Sequence, residues 1–201
     1  QHIQSVYDPA NKHGGPGLFG FDKNYHYTEN SELLTTENNT KIINEWSQYW
    51  DLNKDILIEK SPPNIIHTRY LQEIVNNPYF IILIRHPFVV TMATLKWNQQ
   101  SLDKHIEHWL YVHNILYNDL NKLNKYLILK YEDLHNDTFE NKINFLLEER
   151  LSIDSKILQK IESMKISNKE YFENTIPEDI KNKYENEINK YGYTFNEPFV
   201  L

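Results

Sequence analysis

A strand–helix–strand pattern in residues 57–97 constrains the fold of this chain more than any other stretch. Two apolar runs, residues 56–58 and 79–84, are rich in isoleucine, which is typical of strands buried on both faces. Between the runs, apolar residues recur at helical spacing: Ile65, Ile66, Tyr70, Leu71 and Ile74. Strands joined by a crossover helix pair in parallel. The pattern therefore predicts an α/β fold with a central parallel sheet.

A basic residue follows each of these runs. Lys60 comes after the first run and Arg85 after the second. In open α/β sheets, ligands bind beyond the carboxyl ends of the strands, so we expect both cations to face one crevice. Pro87 suits the first turn of a helix. An arginine just before a helix N-terminus is repelled by the helix dipole unless an anion is bound there, which indicates a phosphate or sulfate site.

Composition narrows the class of protein. A length of 201 residues predicts one domain over residues 1–201. The net charge of −7 without a basic block argues against nucleic acid as a partner. No apolar run has the length of a membrane span. The absence of cysteine excludes disulfides and thiolate zinc sites. It does not fix the compartment, so cytoplasm and Golgi lumen both stay open. The oligomeric state is not indicated.

The remaining pattern predicts further helices and one more strand. Ser31 can cap a helix over residues 29–51. Apolar residues after it predict a strand over 126–129, and helices over 87–98, 101–123, 138–151 and 177–191, with Gly192 as the last C-cap. Residues 13–20 hold four of the five glycines. They lack the preceding strand, basic residue and following helix of a P-loop, so we interpret them as a turn packed by Phe19 and Phe21.

Three short motifs carry a resemblance to a known family. EKSPPN at residues 59–64, IRHP at 84–87 and YEDL at 131–134 come in that order, each at a predicted strand end. They resemble the sulfotransferases that use 3'-phosphoadenosine-5'-phosphosulfate (PAPS), and residues 176–198 resemble the C-terminal helix and turn of the tyrosylprotein sulfotransferases. The resemblance implies a P-loop-like three-layer domain, a sheet flanked by helices, that binds the nucleotide and moves a sulfuryl group to a hydroxyl or amine of a saccharide, a peptide tyrosine or a small alcohol.

The resemblance also implies roles for single residues. Lys60 matches the catalytic lysine near the transferred sulfuryl group, Arg85 the ligand of the 3'-phosphate, and Tyr131 the aromatic ring against adenine. The family's serine eight residues after the arginine is Ala93 here, so Thr94 is the candidate for that phosphate contact. Lys169 falls in the loop that closes over the 3'-phosphate. Asn64 and Arg69 are candidates for the acceptor side, and the general base is not identified.

Residues 1–22 resemble the loop just downstream of the family's 5'-phosphosulfate loop. The resemblance implies that the first strand and that loop are missing from this chain, and we expect the chain alone to be poorly active or inactive. A non-catalytic remnant that only binds 3'-phosphoadenosine nucleotides is one alternative. A nucleotide kinase-like protein is another, although the P-loop and magnesium-binding aspartate it needs are not apparent. No metal is predicted, because His105, His108 and His113 lack a carboxylate to complete a ligand set.

Overall fold

Helices and two short strands make up the computed structural model, which describes residues 3–133, 141–142, 144 and 176–196. The chain divides into two compact units, Gln1–Phe80 with Glu107–Tyr126 and Ile81–Ile106 with Leu127–Leu201. The mixture of helices with a small parallel sheet confirms the α/β class. The elements are α1 (Thr36–Ser47), α2 (Thr68–Ile74), β1 (Phe80–Ile84), α3 (Pro87–Thr94), α4 (Leu102–Asp119), β2 (Tyr126–Lys130) and α5 (Glu178–Asn189).

The first helix begins later than the sequence indicated. Ser31 lies in a turn, where its N–H donates to the Thr28 carbonyl. The cap of α1 is instead Thr35, whose hydroxyl oxygen accepts the Asn38 N–H at 3.2 Å. The helix then buries Ile42 and Trp46 in a cluster with residues of α2. The predicted start at residue 29 was therefore wrong, because a threonine six residues later has the extended backbone that a cap needs.

The predicted strand at residues 56–58 is not a strand in the structure. All three side chains are exposed, and Ile58 keeps 74% of its surface accessible. The Ile58 carbonyl accepts a hydrogen bond from the Trp50 indole at 3.0 Å. Within the described residues the sheet has two strands, β1 and β2, so this apolar run has no sheet neighbour there.

Strand β1 is buried on one face. Ile82 and Ile84 are buried, whereas Ile81 and Leu83 are 46% and 48% exposed. The expectation of two buried faces was wrong, since side chains alternate along a strand and just one face of β1 packs on the core. Its neighbour β2 lies at the predicted place and buries Leu129.

The helices α2, α3 and α4 follow the predicted pattern. A short 3₁₀ turn, Pro62–Ile66, leads into α2. Helix α3 begins at Pro87 as predicted but ends at Thr94, four residues earlier than expected. Helix α4 is the longest in the described part of the chain. In that same part, no helix combines the length and the apolar character needed to cross a membrane.

The last helix ends as its sequence predicts. Gly192 has a φ of +73°, and its N–H donates to the Asn189 carbonyl while the Tyr193 N–H donates to that of Ile188. This pair of bonds is the Schellman arrangement, which favours glycine at that position. The Gly192 carbonyl also accepts a hydrogen bond from Lys130 at 2.6 Å, which ties this turn to the end of β2. The predicted helix at residues 138–151 lies largely outside the described residues.

The glycine-rich segment forms the predicted turn. Phe19 is buried in a cluster with Tyr25, Ile66 and Val112, while Phe21 is more exposed than expected. Only glycine fits at position 20, because a Cβ there would lie 2.2 Å from a methyl carbon of Val112. The Gly20 N–H donates to His108 Nε2 at 3.0 Å.

We therefore expect Gly20→Ala to destabilise the first unit by about 1–3 kcal/mol, the usual cost of overpacking a core. Chemical denaturation followed by circular dichroism measures the change. Lys23→Ala, at an exposed position nearby, is the control and should leave the midpoint unchanged. An unaltered midpoint for Gly20→Ala would show that the turn has room to move away from α4.

Candidate functional site

Two predicted site residues meet at the carboxyl ends of β1 and β2. Arg85 directly follows β1 and Tyr131 directly follows β2. The guanidinium carbon of Arg85 lies 4.4 Å from the centroid of the Tyr131 ring, within cation–π range. Both residues are half-buried. Because the strands are parallel neighbours, their ends bring a cation and an aromatic ring together.

A buried carboxylate supports this pair. Glu132 is 8% exposed, and its two oxygens accept the His86 N–H and the Tyr193 O–H, each at 3.0 Å. Burial raises the pKa of Glu132, while these bonds and the charge of Arg85 act in the opposite direction. The carboxylate thus connects the ends of both strands to the turn after α5. The YEDL motif contains this residue, but sequence reasoning missed its role, because its partners lie 46 and 61 residues away in the chain.

His86 caps α3 and is held neutral. Its Nδ1 accepts the Phe88 N–H and its Nε2–H donates to the Thr194 carbonyl, both at 3.2 Å. Burial lowers its pKa from 6.5 to about 3, and the charge of Lys130 adds to the shift. These bonds fix one tautomer of the ring. His86 is therefore a structural imidazole that positions the residue before it, Arg85.

The N-terminus of α3 offers fewer free amides than the sequence indicated. Pro87 has no N–H, the Phe88 N–H goes to the His86 ring, and the Val90 N–H goes to the His86 carbonyl at 3.1 Å. The helix dipole still favours an anion there. The guanidinium of Arg85, directly after β1, adds a positive charge at the same strand end.

Thr94 and Lys169, the two other predicted phosphate ligands, add little to the description of this site. Thr94 is the last residue of α3, and its hydroxyl donates to the Val90 carbonyl at 2.7 Å. That proton is engaged within the helix, so the Thr94 oxygen is left as an acceptor. Thr91 is fully buried, and its hydroxyl has no partner among the described residues. Lys169 lies outside the described residues.

Lys60 belongs to the first unit, and its side chain is exposed within a motif whose neighbouring side chains bond to one another. The Glu59 carboxylate accepts hydrogen bonds from the Ser61 hydroxyl, at 2.8 Å, and from the Asn64 amide. These bonds close residues 59–64 on themselves, while Lys60 between them is exposed. Asn64 is thus occupied in shaping the motif. The motif therefore presents one exposed cation on a hydrogen-bonded turn.

Arg69, a candidate for the acceptor side, takes part in an ion-pair network. Its guanidinium bonds to Glu29 and, at 3.1 Å, to Asp119, which also contacts His26 at 3.1 Å. Hydrogen bonding to Arg69 lowers the pKa of Glu29. This network occupies the donors of Arg69, so the residue supports the first unit rather than presenting a free charge.

The three α4 histidines have separate backbone partners. His105 contacts the Asn98 carbonyl at 2.9 Å, His108 accepts the Gly20 N–H, and His113 contacts the Trp109 carbonyl at 2.7 Å. Burial lowers the pKa of His113 to about 4, so it is neutral. Within the described ranges, no three His, Asp or Glu side chains are grouped to hold a metal ion.

His86 makes a pH-dependent contribution to stability that can be measured. Its pKa is about 3 when folded and 6.5 ordinarily, so between these values the unfolded chain binds a proton that the folded chain does not. Stability should therefore be lost as the pH falls from about 6.5 towards 3, by up to about 1.4 kcal/mol per pH unit from this residue.

His86→Asn keeps a good N-cap and removes the titrating group. Denaturation at pH 7 and pH 5 should show a smaller pH dependence for this variant than for the original chain. Equal pH dependence in the two proteins would mean that His86 is charged in the folded state.

Comparison with known proteins agrees with the motifs. A family model described as "Sulfotransferase family" matches residues 10–142, well over half of the chain. The matched span includes Lys60, Arg85, Thr94 and Tyr131, whereas Lys169 lies beyond it. Searches among curated proteins and among solved structures found no match. On the strength of the family model, this chain belongs to the sulfotransferase family.

Proposed function

We propose that this protein transfers a sulfuryl group from PAPS to a hydroxyl or amine of an acceptor. Sulfotransfer in general follows from the family; the donor and the acceptor are the proposal. The observation that carries it is the contact between Arg85 and Tyr131 at the ends of neighbouring strands. A cation for a phosphate and an aromatic ring for a base are the two groups that a phosphoadenosine needs.

In this proposal Arg85 binds the 3'-phosphate and Tyr131 packs on adenine. The planar guanidinium can bind two phosphate oxygens at once. It lies over the Tyr131 ring, so the cation and the ring can serve one bound nucleotide. Thr94 can assist the phosphate only by giving up its bond to the Val90 carbonyl. Lys169 is proposed to close over the same phosphate.

The transfer itself is an in-line displacement at sulfur. The acceptor oxygen or nitrogen forms a bond to sulfur as the bond from sulfur to the 5'-phosphate oxygen breaks, and adenosine 3',5'-bisphosphate (PAP) leaves. Negative charge grows on the bridging oxygen during this step, and Lys60 is proposed to stabilise it. Its exposed position on a closed motif suits a group that meets a ligand. Saccharides, peptide tyrosines and small alcohols all satisfy this chemistry.

A protein that only binds 3'-phosphoadenosine nucleotides would use the same Arg85–Tyr131 pair. A nucleotide kinase-like protein would instead prefer 5'-di- or triphosphates without a 3'-phosphate. Titration with PAP and ADP distinguishes the proposed function from the kinase-like alternative. Turnover with PAPS distinguishes it from the binding-only alternative. Both experiments are therefore needed.

The first experiment measures nucleotide preference by calorimetry. PAP should bind more tightly than ADP, because the 3'-phosphate adds charged hydrogen bonds to Arg85, worth about 1.5–3 kcal/mol. Arg85→Lys should weaken PAP by roughly 10- to 100-fold, since a point charge does not replace the planar fork. The matched control is Lys104→Ala, which removes an exposed charge and should leave binding unchanged. Equal affinity for PAP and ADP would refute the donor assignment.

The second experiment concerns Lys60 and uses a form of the protein that turns over PAPS, since the chain alone is expected to be poorly active. Lys60→Ala should lower kcat far more than it lowers PAPS affinity, because the charge that Lys60 meets is largest in the transition state. Steady-state kinetics with a phenol acceptor and a separate PAP titration give the two quantities. Lys54→Ala, also exposed, is the control. A loss of affinity at constant kcat would make Lys60 a ground-state ligand.

A further inference from the structure

A cleft opens in the first unit between the end of α2 and the residues that precede the two strands in the chain. Its volume is about 610 Å³, within the range of about 300–1,000 Å³ that is typical of small-molecule sites. Six of its nine lining residues have amide or charged side chains, and the other three are Ile74, Val75 and Pro78. All nine belong to the first unit, so the cleft is a feature of that unit alone.

Gln72 holds one side of the cleft. It lies in the last turn of α2, and its amide nitrogen donates to the Lys122 carbonyl at 3.0 Å. Its amide oxygen accepts the Asn124 N–H at 2.7 Å. These two bonds tie the end of α2 to the segment that leads into β2. The distance between these two elements, and with it the width of the cleft, therefore exists before any ligand binds.

Asn77 and Lys125 hold the other side. Asn77 has a φ of +54°, and no other non-glycine residue in the described part of the chain has a positive φ. Asparagine tolerates this left-handed conformation better than most residues. Its Oδ1 accepts a hydrogen bond from Lys125 Nζ at 2.7 Å, and the same ammonium lies 4.7 Å from the centroid of the Tyr79 ring. The turn after α2 is thus fixed by a side-chain bond across the cleft, and the Lys125 charge already has two partners.

Three other lining side chains are available to a ligand. Glu73, Asn76 and Asn124 are exposed, and their side chains make no hydrogen bond to another residue in the ranges that the structure describes. An amide offers both donors and acceptors, and a carboxylate offers acceptors. A hydroxyl group can donate and accept, so it can pair with all three. The cleft therefore presents hydrogen-bonding groups for a ligand that carries several hydroxyls.

The charge and polarity of the lining narrow the ligand class. The charged lining residues are one acid, Glu73, and one base, Lys125, so the cleft has no net charge. The chain as a whole carries −7, which disfavours a polyanion. A purely apolar ligand would leave the amides without partners. A neutral saccharide fits both conditions, because it surrounds an apolar ring face with hydroxyl groups, and the cleft combines amides with half-buried Ile74, Val75 and Pro78.

We propose that this cleft binds a neutral oligosaccharide. Glu73, Asn76 and Asn124 would hydrogen-bond to its hydroxyls, and the apolar lining residues would contact a ring face. The proposal rests on the first unit alone and uses neither PAPS nor the contact between Arg85 and Tyr131. It therefore adds a binding function to the proposed sulfotransfer instead of assigning a step of that reaction.

The first test is a nuclear magnetic resonance titration of the nitrogen-15-labelled chain. Maltotetraose and chitotetraose are the probes, and 1-butanol, which has one hydroxyl, is the control ligand. The side-chain amide signals of Asn76 and Asn124 should shift in a saturable way with at least one oligosaccharide and stay in place with 1-butanol. If neither oligosaccharide moves these signals, or if 1-butanol moves them as far, the assignment of the cleft is wrong.

Variants then measure the contribution of single side chains. Asn76→Ala and Asn124→Ala should each weaken oligosaccharide binding by about 3- to 10-fold, the effect of losing one hydrogen bond. Both side chains are exposed and unbonded, so the fold should be kept, as circular dichroism would show. Asn44→Ala removes an exposed amide from α1 and is the matched control. Unchanged affinity in both cleft variants would overturn the proposal. The titration with PAP and ADP tests residues of the second unit, so its result and this one can be told apart.

Discussion

The buried carboxylate of Glu132 is the interaction on which the second unit depends. A buried charge is costly unless its oxygens are hydrogen-bonded, and here the two partners come from separate places in the chain. The His86 N–H follows β1, Glu132 itself follows β2, and the Tyr193 hydroxyl comes after α5. The position of Arg85 is set by this junction, because Arg85 lies between the end of β1 and the bonded amide of His86. Hydrogen bonds between residues far apart in the sequence thus hold Arg85, the residue proposed to bind a phosphate.

Each of the three motifs pairs an exposed or half-buried functional side chain with a neighbouring residue that supports it. In each, one residue presents a functional group, while the next or the preceding one builds its support. Lys60 is exposed beside Glu59, which closes the motif through Ser61 and Asn64. Arg85 precedes His86, the cap of α3, and Tyr131 precedes Glu132. Groups that bind charged ligands need such support, because their geometry has to exist before the ligand arrives.

The sequence predicted what local chemistry decides. Pro87 at the start of a helix, Gly192 at the end of one and the two strands β1 and β2 were each found as predicted. Features that depend on distant partners were missed. Residues 56–58 have a strand-like pattern, but a pattern does not reveal whether a neighbouring strand is present. The partners of Glu132 are 46 and 61 residues away in the chain, so no local signal assigned its role. The cleft beside the end of α2 likewise appeared only in three dimensions.

The one-sided burial of β1 has a practical consequence for work with the purified protein. Ile81 and Leu83 contribute apolar surface that the core does not use. Exposed apolar positions on a short strand favour contacts between molecules at high concentration. Threonine keeps the branched shape that suits a strand while adding a hydroxyl, so these two positions are the natural places to improve solubility without touching the supports of Arg85.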